Sequence, residues 1–377
     1  MPATMTAGAA QEAGRPQPQT TIEPPGGPFI RHSQPGRRAQ YQASNVAFGG
    51  IVTQPLVAVP GYLRALRTQI KGTGGSGSTT AAAAAADAPY NVVQLVTWKD
   101  AFGTPLIVAP GYEALYLLPK FGSCFGLNSA RDVANLPSYV AIDTNGNFSF
   151  SIQLPLEFVK AYGVISGANA SLLPTLQWNL AADGTVYSTA PSPTLPSLQV
   201  NVDTDFYWLP EGVSIEPPGL GTTQQWVYQQ CNPPIASASS MSVQLPRLGG
   251  YISTIILELR DSTGARVDAW PDRLRLLVDG VPLFDTTLDE IEDDMYDVYQ
   301  ATSRPTGVLA ISRKTSLNQC DNGLFDTGET FLSTNPGTLI EVSGFPWGTI
   351  ANSPATLNVL LGQVVPSGTL IQGLPEV

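Results

Sequence analysis

The residues that could do chemistry are few and far apart. The chain has one histidine, His32, and it lies among prolines and glycines near the N-terminus. Ser-His-Asp or Cys-His catalysis needs its base held rigidly beside the nucleophile. A segment without an apolar period cannot hold it, and the same argument removes histidine metal sites. Asp326-Thr327-Gly328 matches the aspartic-protease tripeptide, but that chemistry needs two carboxylates sharing a proton. The nearest second copy, Asp143-Thr144-Asn145, lacks the glycine, and Glu329 stands where a small residue belongs. A turn leading into a strand is the expected role. Carboxylates cluster over residues 289–297 and again over 321–329, neither with EF-hand spacing; the first reads as the solvated face of a helix. Residues 74–78 (Gly-Gly-Ser-Gly-Ser) lack the lysine and spacing of a phosphate loop and read as linker. No catalytic residue, cofactor-binding residue or metal ligand is assigned, and no cofactor is expected.

The remaining reactive side chains give no stronger pattern. Cys124, Cys231 and Cys320 are scattered, with no Cys-x-x-Cys, and read as free buried thiols, a single disulfide being unsupported. Trp178, Trp208, Trp226, Trp270 and Trp347 could form a sugar-binding platform. They do not cluster in sequence, and a sandwich core uses tryptophan equally well, so core is the preferred role.

The elements around these residues are strands. Residues 148–154 (Phe-Ser-Phe-Ser-Ile-Gln-Leu) and 198–202 (Leu-Gln-Val-Asn-Val) are apolar at every second position, the period of a half-buried strand. Further strand-like runs fall at 57–70, 92–99, 175–180, 251–260, 274–278, 308–312, 338–343 and 357–361, and residues 143–147 read as a hairpin turn. Only residues 287–299 carry a clear helical period, through Leu288, Ile291, Met295 and Val298, with a weaker one over 156–164. Residues 73–87, Gly/Ser/Thr followed by six alanines, read as a long low-complexity loop in which the alanines could form a short helical turn.

The chain repeats itself. Gly61-Tyr62-Leu63 opens a strand, and Gly250-Tyr251-Ile252 opens another 189 residues later. Residues 96–106 resemble 276–283, and residues 196–200 resemble 355–359, in the same order. A slowly drifting offset is what duplication with unequal loops produces, and its length suits whole sandwich domains rather than a solenoid unit. The expected architecture is all-β: two tandem eight-stranded jelly-roll β-sandwiches with a few short helices. Its expected parts are a Pro-rich, partly basic arm over 1–43, a first jelly roll over 44–210, a Pro-rich joint over 211–218 within the stretch 210–218, and a second jelly roll over 219–377. The arm reads either as a disordered tail or as a segment that orders on a neighbouring subunit, a membrane surface or an internal partner.

Composition favours assembly over catalysis. Apolar residues make up 43% and charged residues only 13%, about half the ~25% of an average domain; a low-charge surface has fewer ions to desolvate at a contact. A net charge of −11 argues against binding naked phosphate backbone, so no direct nucleic-acid contact is expected. No run of about 18 apolar residues predicts a membrane span, and the first residues lack the pattern of a secretory signal.

The arm, two strand-rich halves and the Pro-rich joint, in a chain near 380 residues, resemble the double jelly-roll major capsid proteins of icosahedral, internal-membrane-type prokaryotic viruses, including bacteriophages. The resemblance implies homotrimers that form pseudo-hexameric capsomers, tile a shell, and reside in the virion after synthesis in the host cytoplasm. It further implies inward-facing termini, with Arg31, Arg37 and Arg38 placed toward an inner membrane or a minor capsid protein, and residues 73–87 as a tower or inter-subunit loop. The alternatives are a tail or receptor/carbohydrate-binding sandwich protein of a virus and, with less support, a β-sandwich hydrolase.

Overall fold

The computed structural model describes residues 27–122, 132–158, 161–169, 173–211, 213, 215–218, 222–247, 249–299, 301, 303–312 and 331–366. The strands of the first half are β1 (Gln34–Val46), β2 (Ile51–Pro55), β3 (Tyr62–Thr73), β4 (Ser76–Thr80), β5 (Ala83–Ala84), β6 (Val93–Lys99), β7 (Pro105–Ala109), β8 (Phe148–Pro155), β9 (Ile165–Ser166), β10 (Thr175–Leu180), β11 (Tyr187–Thr189), β12 (Ser192–Thr194) and β13 (Ser197–Trp208). Those of the second half are β14 (Thr222–Gln230), β15 (Met241–Gln244), β16 (Tyr251–Arg260), β17 (Arg273–Val278), β18 (Val281–Thr287), β19 (Val308–Ser312), β20 (Leu332–Ser333), β21 (Ile340–Gly344) and β22 (Thr356–Pro366).

The two halves share one topology, strand for strand. In the first half, one sheet runs β1-β13-β3-β8 and faces a second running β2-β10-β6-β7. In the second, β14-β22-β16-β19 faces β15-β21-β17-β18. Even the accessory strands correspond: β9 pairs with β3 through Tyr62↔Ser166, and β20 pairs with β16 through Tyr251↔Ser333. Each half is therefore an eight-stranded jelly roll, and the Gly-Tyr repeat seen in sequence marks equivalent strands.

Alternation builds the cores. Phe148, Phe150, Ile152 and Leu154 on β8, and Leu198, Val200 and Val202 on β13, are buried while the residues between them are not. Trp98, Trp178, Phe150 and Leu66 fill the first sandwich, and Ile255, Leu257, Leu276, Val342 and Trp347 fill the second, all within one continuous apolar cluster. The halves are also fused through backbone. Parallel pairing of Trp226↔Ile107 and Val227↔Val108 joins β14 to β7, so that sheets from both halves form a single nine-stranded sheet that includes β20.

Four sequence expectations are corrected. Residues 34–43 are not arm but most of β1, which pairs with β13 from Gln34↔Trp208 onward. As an edge strand, β1 needs partners on one side only, so it tolerates Pro35 and carries few apolar residues to announce it. It follows a short helix, α1 (Gly27–His32). Residues 57–60, expected in the strand that became β3, lie outside it. The loop over 73–87 contains β4 and β5, laid against β12 and β11. Asn147 Oδ1 and Asn145 Oδ1 accept from the amides of Gly75 and Gly77 at 3.0 and 3.1 Å, so the 143–147 turn organises it, and the six alanines form no helix. The described residues of 156–164 are not helical. They wrap the buried Glu157 carboxylate, which accepts from the Ala161 amide at 3.2 Å and from Tyr207 Oη at 3.0 Å, and pairs with Arg64.

The helix over 287–299 forms as expected, as the longest of the described helices after short α2 (Leu118–Phe121) and α3 (Asp183–Val186); it is α4 (Leu288–Tyr299). Ile291, Met295 and Tyr299 are buried at four-residue spacing. Thr287 and Glu290 cap it reciprocally: Glu290 N donates to Thr287 Oγ1 (3.3 Å) and Thr287 N to Glu290 Oε2 (3.1 Å), a capping box.

Candidate assembly surfaces

A protein made of two sandwiches can offer other molecules its sheet faces, its edges and its loops. The outer face of the first half's β2-β10-β6-β7 sheet is almost free of charge. Thr53 on β2, Gln177 and Asn179 on β10, and Thr97 on β6 lie at matched register positions, and Gln177 Nε2 donates to Asn179 Oδ1 at 2.7 Å. Lys99 is the cation at its end. Strand β2 ends the nine-stranded sheet and exposes Ile51 (66%), while Pro55 closes it, the usual way of blunting an open edge.

The opposite sheet of the same half, β1-β13-β3-β8, carries a charged outer face. Asp205 on β13 accepts from Arg37 Nε on β1 and from Arg67 Nε on β3, each at 2.7 Å. The two guanidiniums are about half exposed, whereas the carboxylate between them is 10% exposed. This face forms the floor of a groove of about 910 Å³ that also includes Gln69, Gln153, Asn201 and Asp203. Pro119 of α2 and Leu136 contribute to its lining.

The corresponding face of the second half is covered by the chain itself. The connection after β7, which includes the turn Glu113–Leu117 and α2, lies over β14, β22 and β16. Gln224 Nε2 donates to the Gly122 carbonyl at 3.4 Å, and Phe121 meets Tyr299 edge-on at 5.1 Å. Charges are buried in this seam. Asp87 accepts from Arg260 and Arg266 at 2.7 Å each, Arg260 pairs with Glu258 at 2.8 Å, and Glu113 lies 3.6 Å from it. Burial, and then the neighbouring Glu258, hold the Glu113 carboxyl well above its ordinary range. These residues are assigned no role from sequence; the available signal was Glu258 and Arg260 flanking the apolar run Ile255-Ile256-Leu257 and Leu259.

The sequence candidates separate rather than converge. His32 ends α1 and is exposed. Arg37 sits in the groove, and Arg38 Nη1 donates to the Ala58 carbonyl at 2.7 Å, so neither belongs to a free arm; Arg31 lies in the last turn of α1. Trp178, Trp226, Trp270 and Trp347 are core residues, but Trp208 is 39% exposed. Cys231 is buried, and burial pushes its thiol up to about 12. Cys124, Cys320, Asp326-Thr327-Gly328 and the 321–329 cluster lie outside the described residues. Among the described residues no three His, Cys, Asp or Glu side chains are grouped to hold a metal, and no helix is long and apolar enough to cross a membrane.

No protein-family model matches the sequence, and no curated protein matches it. Solved structures do match in fold. The STIV MCP superposes with a TM-score of 0.60 at 15% identity, covering 90% of this chain and all of that one. VP54 of PBCV-1 gives 0.58 at 13%, covering 88% and 93%. The Faustovirus major capsid protein gives 0.50 at 9%, covering 88% and 90%.

Proposed function

We propose that this chain is the major capsid protein of an icosahedral virus, assembling as a homotrimeric, pseudo-hexameric capsomer that tiles the shell. The observation that carries the reading is the strand-for-strand duplication. Two jelly rolls fused through one sheet give each chain two equivalent sides of a ring, and a double jelly roll of this extent is also the fold of the STIV MCP over its whole length. The nearly uncharged β2-β10-β6 face supports it, because Thr, Gln and Asn surfaces meet a neighbour with few ions to strip of water. On this reading the role is structural, the site of action is the virion, and synthesis takes place in the host cytoplasm. On this reading Arg31, Arg37 and Arg38, on the N-terminal side, contact an inner membrane or a minor capsid protein.

The test is the assembly state of the purified full chain. Sedimentation equilibrium gives three chain masses, and electron microscopy shows hexagonal-outline particles that associate into sheets or shells. A chain that stays monomeric at all concentrations and binds glycans on an array instead supports the receptor-binding alternative and overturns the capsid reading.

A further inference from the structure

The seam between the jelly rolls holds more carboxylates than cations. Asp87, Glu113 and Glu258 meet there with Arg260 and Arg266. The three carboxyl groups are 9%, 5% and 2% exposed. Among the described residues no third cation pairs with them. Lys120, the other ion on the covering connection, is held by Asp132 at 2.5 Å. Three ionised carboxylates against two guanidiniums leave one buried negative charge without a partner, which is costly. A single bound proton removes that charge.

The contacts say where the proton sits. Glu258 Oε2 accepts from Arg260 Nε at 3.0 Å and from Asn358 Nδ2 at 3.3 Å, and Arg260 Nη2 lies 2.8 Å from its other oxygen. Asp87 takes both guanidiniums at 2.7 Å. Glu113 has Arg260 only at 3.6 Å, beyond hydrogen-bond length, and is hydrogen-bonded to Glu258. Two carboxyl groups make that bond only when one of them carries a hydrogen, and Glu113 is the one with fewer donors. In the first jelly roll the strand position equivalent to Glu258 is the neutral Gln69, so the strand itself does not require an acid there.

The other titratable groups around the pair do not compete for the proton. Tyr112 lies on the connection, Tyr228 on β14 and Cys231 just beyond it. Burial raises all three, so they keep their own protons through pH 8. Glu113 also stands where the connection starts its grip on the second half. It opens the turn Glu113–Leu117, which has π-helical geometry, a wider form than the α-helix and one that recurs at functional places in helices. A charge formed at Glu113 lies beneath that turn. Water reaches it only if the turn lifts.

We propose that the seam is a proton-operated latch: Glu113 and Glu258 share one proton, and its loss loosens the connection over residues 110–122 from the face of β14, β22 and β16. The latch belongs to the single chain and stands apart from the capsid-subunit reading. Its sign follows from linkage. The closed seam binds the proton more tightly than the open one does. Closure is therefore favoured fully below about pH 4.5, the ordinary glutamate value, and weakens as pH rises until Glu113 ionises in place.

Amide hydrogen exchange of the full chain between pH 5 and pH 8 tests it. Protection is read as the slowing relative to an unstructured peptide of the same sequence, which removes the intrinsic effect of pH. Across residues 113–118 protection is expected to fall up to about tenfold per pH unit, the slope for one proton released on opening, and then to level off. Strand β2, at the far edge of the nine-stranded sheet, is expected to keep its protection. Glu113→Gln and Glu258→Gln each leave the cluster with equal numbers of carboxylates and guanidiniums, and each is expected to abolish the fall; thermal melts confirm that they fold. Wild-type protection over 113–118 that does not change with pH, or that changes no more than that of β2, overturns the latch. So does an undiminished fall in either folded variant. If neither variant folds, the wild-type comparison with β2 decides.

Discussion

Asp87 Oδ2 and Arg260 Nη1 lie 2.7 Å apart, and they come from different jelly rolls. Asp87 also takes Arg266 at 2.7 Å, so one loop carboxylate of the first half neutralises two guanidiniums of the second. The seam is thus sealed by ions as well as by the β7–β14 backbone pairing and the packing around Trp226. Removing one partner of a buried pair leaves the other's charge uncompensated. Asp87→Ala is expected to cost about 3 kcal/mol in urea unfolding. A change indistinguishable from zero would show that the seam does not depend on this ion pair.

The same seam predicts a pH dependence. Glu113 is buried against Glu258, with Arg260, Asp87, Arg266, Tyr112 and Tyr228 around it, and its carboxyl is raised above 4.5, first by burial and then by Glu258. The folded state therefore binds this proton more tightly than the unfolded state does. Its contribution to stability is full below about pH 4.5 and is lost as pH rises through the folded value. Glu113→Gln cannot ionise, so it is expected to gain stability relative to the wild type at pH 8 compared with pH 4. Parallel denaturation curves at the two pH values measure this, and an equal difference at both counts against the assignment.

Gly362 on β22 lies directly under the Trp226 indole of β14. A Cβ there would lie 2.6 Å from Cη2 of Trp226, whose ring fills the space over the strand. Gly362→Val must push the indole or the strand aside. Overpacking of this kind costs about 2 kcal/mol, and the melting temperature should fall accordingly. Wild-type stability in the variant would mean that Trp226 has room to move.

In the first sandwich, Trp178 Nε1 donates to Tyr41 Oη at 2.9 Å, tying strand β10 of one sheet to β1 of the other. Tyr41→Phe leaves the buried indole N–H without an acceptor, at an expected cost of about 1–2 kcal/mol. Adding Trp178→Phe removes the orphaned donor as well, and a double-mutant cycle should show that the two changes are coupled.

Much of the fold was legible along the chain because its signals are local. The alternation of Phe148 to Leu154, the helical period of Leu288, Ile291, Met295 and Val298, and the Gly-Tyr pair repeated at residues 61 and 250 each depend on near neighbours. They specified strands, one long helix and a duplication before any contact was known. The paired order β1-β13-β3-β8 and β14-β22-β16-β19 then had to be supplied by tertiary structure, because sheet pairing joins residues far apart in sequence.

The tertiary structure decided the rest for the same reason. Residues 34–43 resemble tail, with proline, arginines and glutamines, yet become β1 because β13, some 160 residues away, supplies the hydrogen bonds that local sequence does not. Arg37 and Arg67 lie near the start of the first half's sequence and Asp205 near its end, and only sheet register brings them together. A sequence shows that Arg67 and Ile256 occupy similar strands. Only the packed molecule shows that one face is open and the other closed, because burial belongs to the surroundings of a residue and not to the residue.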